Sequence, residues 1–183
     1  MRRRVLVPVA EGSEELETIG IVDTLRRSGA EVTVASVQDY EIIASRKVKL
    51  IADKLISDCT EEEYDLIALP GGLPGAEYLR DSKILTDMLL KQARSGKLYA
   101  AICASPVVVL QHHGLLEGKK ATAHPALSDK LRDQSAVEER VVVDGNCITS
   151  RGPGTVLEFA IKLIELLFDK KKAELVSNPM LIK

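Results

Sequence analysis

The chain has 183 residues, 45% of them apolar and 28% charged, with a net charge of −2. That is ordinary globular composition, long enough for one domain, 1–183, with a full core. Lys and Arg number 25 against 27 Asp and Glu, which excludes an electrostatic nucleic-acid binder, and no apolar run reaches the length of a membrane-spanning helix.

The basic runs at 2–4 and 170–172 are short and read as solvated ends. The apolar run in "RRRVLVPVAEG" is too short for the core of a signal peptide. Three cysteines without CxxC or metal-ligand spacing favour a reducing, cytoplasmic setting over a disulfide framework. With no Trp and 3% aromatics, Val, Ile, Leu and Ala must fill the core, as in a parallel sheet covered by helices.

"RVLVPVA" reads as a buried strand. "GSEELETIGIVDTLRRSGA" follows as a helix capped by Ser13, with Leu16, Ile19, Val22 and Leu25 as its apolar stripe and Gly29 at its end. Glu14 and Glu15 read as solvated carboxylates favoured by the helix dipole. "EVTVASV" completes a right-handed βαβ unit. "EIIASRKVKLIAD" is a short β excursion, and "YDLIALPGG" is the next main strand. "DSKILTDMLLKQARSG" is an amphipathic helix. "KLYAAI" is a strand that runs into the helix "SPVVVLQHHG", where Pro106 suits the first turn. "ERVVVDGNCITS" is a hairpin with an Asp-Gly turn. "GPGTVLEFAIKLIELLF" is a long helix with Val156, Phe159, Ala160 and Leu163 inward, and the tail begins as helix. Strands and helices alternate, so the fold expected is a flavodoxin-like, doubly wound α/β domain with a mostly parallel sheet and helices on both faces.

Sites in such sheets form beyond the carboxyl ends of the strands. Cys103 falls there, at a tight strand-to-helix turn between the small residues Ala101 and Ser105, as a nucleophile elbow requires. The following helix N-terminus is expected to lower its pKa. The alternative is an inert, buried thiol. Gly71 and Gly72, ending the third main strand, offer backbone N–H groups for an oxyanion, or a turn that simply needs glycine. Glu17, beside the apolar stripe, is placed to hold a proton and pass it to or from a thiolate, or is a solvated carboxylate favoured by the helix dipole. His124, before Pro125, is a candidate base; no orienting partner for it can be chosen. His112 and His113 read as helix-end contacts.

"AICASP" after an "LPGG" strand, the "EGSEELET" helix start, "AHP" and "SRGPGT" together resemble the ThiJ/PfpI superfamily, in particular its deglycase and redox-sensor branch, over nearly the whole chain. The resemblance implies a homodimer, a nucleophile at Cys103, a protonated Glu17 and an active-site His124. It also implies oxyanion contacts from Gly71, Gly72 and the Ala104 amide. Arg27, Arg46 and Pro153 match positions around the site or the dimer interface. Cys59 and Cys147 match no family cysteine, and Ala44 stands where some relatives carry one. The implied activity is conversion of methylglyoxal and glyoxal to lactate and glycolate, with no metal, cofactor or glutathione. It would run through a Cys103 hemithioacetal with Glu17 as proton shuttle. The same thiol could act on glycated amines. A cysteine redox sensor or chaperone acting in oxidative stress is the main alternative, and a cysteine peptidase or amidase is the third.

Overall fold

The computed structural model describes residues 3–182; Arg2 of the first basic run lies outside them. In chain order come β1 (Arg4–Val9), α1 (Glu15–Arg27), β2 (Glu31–Ser36), β3 (Glu41–Ile43), β4 (Lys49–Ile51), β5 (Lys54–Leu55) and β6 (Leu66–Leu69). They are followed by α2 (Gly75–Asp81), α3 (Lys83–Arg94), β7 (Leu98–Ile102), a π-helical stretch Pro106–Gln111, β8 (Val141–Asp144), β9 (Cys147–Ser150), α4 (Val156–Leu167) and α5 (Lys170–Ser177). The main sheet runs β5-β2-β1-β6-β7-β9-β8. All its pairings are parallel except β8 with β9. β3 and β4 form a separate antiparallel hairpin.

Alternation along the strands divides the core into two layers. Val5, Val7, Val9, Leu66, Ala68, Ala100 and Ile102 pack with Ile21 and Leu25 of α1 and Phe159 and Leu163 of α4. Leu6, Ile67, Leu69, Tyr99 and Ala101 pack on the other face with Leu79, Leu85, Leu89 and Val109. Strands buried on both faces explain the near-continuous apolar runs of the sequence.

Several details differ from expectation. Ser13 does not cap α1: its hydroxyl accepts the Ala10 N–H at 2.9 Å, while the Glu14 carboxylate caps the helix by accepting the Glu17 N–H. Val22 and Leu25 are buried, but Leu16 and Ile19 are half exposed. At about 3.6 residues per turn, each i+3 step falls short of a full turn, so four such positions wind around half the helix rather than sharing one face. The 141–150 hairpin turns on Gly145-Asn146, since Asp144 already pairs with Cys147. The segment after Cys103 is helical with Pro106 in its first turn, but of π rather than α type. α2 has no counterpart in the sequence reading.

From β1 the chain passes to β2 on one side, and later to β6 on the other. This reversal opens a crevice between the carboxyl ends of β1 and β6, where ligands bind in doubly wound sheets.

Candidate active site

Cys103 directly follows β7 and has φ +66°. A non-glycine residue in the left-handed region is strained and persists only where its surroundings hold it. Its N–H donates to the Ser150 carbonyl at 3.1 Å, and its carbonyl accepts the His124 N–H at 2.8 Å. The Ser105 hydroxyl, fully buried, donates to the Pro70 carbonyl at 2.6 Å and ties the elbow to the end of β6. A Cβ on Gly71 would lie 2.6 Å from the Cys103 Cβ and 2.9 Å from the Ala104 nitrogen, so only glycine permits this approach. Gly72, at φ +88°, packs its backbone directly on the Gly12 carbonyl and the Glu14 nitrogen.

Glu17 lies beneath the sulfur with no exposure to solvent. Its Oε2 accepts the Gly71 N–H at 2.7 Å. Its Oε1 has no hydrogen-bond partner, and the Cys103 thiol lies beside the carboxyl. Burial pushes the Glu17 pKa from its ordinary 4.5 to about 7, against the hydrogen bonds from Gly71 and Cys103. Burial also raises the Cys103 thiol, as does the charge of Glu17; the amides of Gly72 and Ala104, aimed at the sulfur, oppose this. The expected lowering by a helix N-terminus is therefore overturned: desolvation outweighs the two amides. Because the two acids repel as anions, they titrate as a unit, and a thiolate forms most readily when Glu17 holds the proton.

The sulfur opens into a pocket of about 370 Å³ lined by Glu14, Ser45, Arg46, Gly72, Leu73, Cys103, Ala104, His124, Ala126, Leu127 and Pro153. Cys103, Gly72, Ala104, His124, Arg46 and Pro153 thus converge as the sequence suggests, with Glu17 below. A smaller cavity of about 140 Å³ beside Tyr64 and Gln92 includes neither Cys103 nor Glu17.

Other assignments change. The Gly71 amide is occupied by Glu17, so it positions the carboxyl and does not serve as an oxyanion donor. His124 Nδ1 accepts the Ala126 N–H at 3.2 Å. The Nδ1 lone pair is thus already taken and is not free to act as a base. Arg27 lies outside the pocket and pairs with Asp23 at 2.8 Å. Glu15 is not a solvated carboxylate: it is buried, accepting the Ser45 hydroxyl at 2.8 Å and the Arg46 N–H at 2.7 Å. Burial raises its pKa, but these bonds prevail and hold it below the ordinary range. Glu15 thereby fixes the 45–46 turn against the pocket. The sequence singled out Glu17 as the proton holder, but nothing in it told that Glu14 would cap the helix and Glu15 anchor the 45–46 turn.

Among the described residues, no cluster of His, Cys, Asp and Glu is arranged to hold a metal, and no helix is long and apolar enough to cross a membrane. The three cysteines are free and buried.

A strained cysteine elbow over a buried carboxyl, at the switch point of a doubly wound sheet, marks a distinct class of α/β proteins. Within it, the chain belongs to the DJ-1/PfpI family, whose model matches residues 3–166. It is 54% identical to protein DJ-1 homolog B of Arabidopsis thaliana over 180 residues, covering 98% of this chain and 41% of that protein. The chain thus spans less than half the length of that relative. It is 33% identical to the glutathione-independent glyoxalase DJR-1.2 of Caenorhabditis elegans over 178 residues, 96% of this chain and 94% of that one. The solved structure of oxidized Toxoplasma gondii DJ-1 superposes with a TM-score of 0.96 at 53% identity, covering 98% of each chain.

Proposed function

We propose that the protein is a glutathione-independent glyoxalase acting on 2-oxoaldehydes. The observation that carries this reading is the Glu17 carboxyl held between the Gly71 amide and the Cys103 thiol. This arrangement places a nucleophile and a proton carrier side by side. The name of the nematode relative supports it.

The Cys103 thiolate adds to the aldehyde carbon of methylglyoxal. The C=O π bond breaks, and the oxyanion forms facing the Gly72 and Ala104 amides. It takes the Glu17 proton to give a hemithioacetal. The Glu17 carboxylate then removes the proton from that carbon; the C–H electron pair forms a C=C bond, the ketone π pair moves onto its oxygen, and an enediolate results. Glu17 returns the proton to the neighbouring carbon, the hydroxyl proton on the former aldehyde oxygen passes to the neighbouring oxygen as that C=O re-forms, and water hydrolyses the resulting thioester to lactate and free thiol. One carbon is oxidised and its neighbour reduced, so no external redox partner enters. Adducts of the same aldehydes with amines present a carbon at the same oxidation level and belong to the same substrate class. The test is lactate formation from methylglyoxal in glutathione-free buffer; a wild-type protein that forms none overturns the reading.

A second reading, oxidation sensing at Cys103, is favoured by the unpartnered Glu17 Oε1 beside the sulfur. A protonated Oε1 would donate to a sulfinate oxygen there. If lactate is absent while mild peroxide adds two oxygens to Cys103 by mass spectrometry, this reading takes precedence.

We also propose that the protein is a homodimer. Leu16 and Ile19, three apart on α1, expose 57% and 50% of their surface and form one apolar strip. Light scattering is expected to give twice the chain mass for wild type and a monomer for Ile19→Glu. A wild-type monomer overturns the proposal.

A further inference from the structure

The pocket is far larger than its smallest substrates. At about 370 Å³ it is lined from Glu14 to Pro153 and reaches well beyond the sulfur, whereas glyoxal and methylglyoxal are two- and three-carbon molecules. The lining is mixed: Glu14, Ser45, Arg46 and His124 are polar, whereas Leu73, Leu127 and Pro153 are apolar.

Leu73 stands out among these. It is 53% exposed although apolar. It also forms a wall of the neighbouring cleft, of about 340 Å³, which includes Ile43, Pro74 and Tyr78. It therefore stands between the reaction pocket and an adjoining groove. It is the residue after Gly72, whose amide faces the sulfur, so its Cα lies within about 3.8 Å of the Gly72 Cα. When a substrate oxygen sits on the Gly72 and Ala104 amides, the floor is filled. The group attached to the adjacent carbonyl then extends toward the rim, where Leu73, next to Gly72, offers an exposed apolar side chain.

We propose that Leu73 determines specificity, and that the site selects 2-oxoaldehydes bearing a bulky apolar substituent, of aryl size, over methylglyoxal. This rests on the 2-oxoaldehyde reading for its substrate class, but not for the apolar selection itself. Such a substituent covers the exposed half of Leu73, and transfer of that much apolar surface from water is worth about a fivefold preference.

The experiment compares phenylglyoxal with methylglyoxal in wild type, Leu73→Asn and Leu73→Met. Alongside, it measures alkylation of Cys103 by iodoacetanilide relative to iodoacetamide, each corrected for its reactivity with a free thiol. Wild type is expected to favour the aryl member of each pair about fivefold. Asn, similar in size but polar, is expected to abolish the preference, and Met to restore it. If no 2-oxoaldehyde is turned over but the alkylation preference follows Leu73, the glyoxalase reading fails and the apolar subsite stands. If the corrected alkylation ratio is the same in wild type and Leu73→Asn, the proposal is overturned whether or not turnover is seen.

Discussion

Cys103→Ser is expected to lower glutathione-free lactate formation by a factor on the order of 10⁴ or more, as when the nucleophile of a unit that acts together is removed. Serine nearly matches cysteine in shape, so the elbow, the Gly72 and Ala104 amides and Glu17 stay in place. What changes is acidity. A buried thiol can pass its proton to the carboxyl beneath it; an alkanol, several orders of magnitude weaker as an acid, cannot. Residual turnover then reports what the amides and the pocket achieve alone. Product formation, compared at matched thermal stability, measures this. Turnover within tenfold of wild type would rule out covalent catalysis at this position.

Glu17→Gln is expected to move activity and stability in opposite directions. Glutamine keeps the acceptor for the Gly71 N–H but cannot carry a proton, so turnover falls by about 10²- to 10⁴-fold. The stability effect follows from the raised pKa. Below about pH 4.5 the carboxyl is protonated in both folded and unfolded chains and has no linkage effect. As pH rises from 4.5 to about 7, the unfolded chain releases the proton while the folded one retains it, so the wild type loses stability. The gap corresponds to about 3 kcal/mol. The Gln variant does not suffer this loss. Its melting temperature is expected to exceed that of wild type by roughly 5–10 °C at pH 8, relative to their difference at pH 4. A difference that does not change with pH would show that Glu17 does not titrate as described.

The fold was legible because its signals are local and repeated. Strands such as "RVLVPV" and "LYAAI" are continuously apolar since both faces are covered, and α1 and α3 carry side-chain caps and glycine ends. The elbow was legible too, from a cysteine between small residues where strand meets helix. What stayed hidden depended on partners distant in sequence. The Gly71 amide looked free until Glu17, 54 residues away, was seen to take it. Glu15 looked solvated until Ser45 and Arg46 folded over it. His124 looked like a base, but the amide two residues on occupies its lone pair. The stripe on α1 failed for another reason. That helix buries Glu17 and Thr18 for the sake of the site, so apolar character alone misjudges its inward face.

The backbone contact between Gly72 and Gly12 has a mechanical consequence. No side chain lies between these two loops to act as a cushion. The Glu14 N–H also donates to the Gly71 carbonyl at 2.9 Å, so the turns beyond β1 and β6 are clamped as one piece. The spacing of carboxyl, amide and sulfur is therefore stiff. Any shape change that a bulky adduct or an oxidised sulfur demands falls on the rim, where long side chains such as Arg46 and Leu73 can swing. Floor and rim can then vary separately: one keeps the proton chemistry constant, while the other sets which molecules reach it.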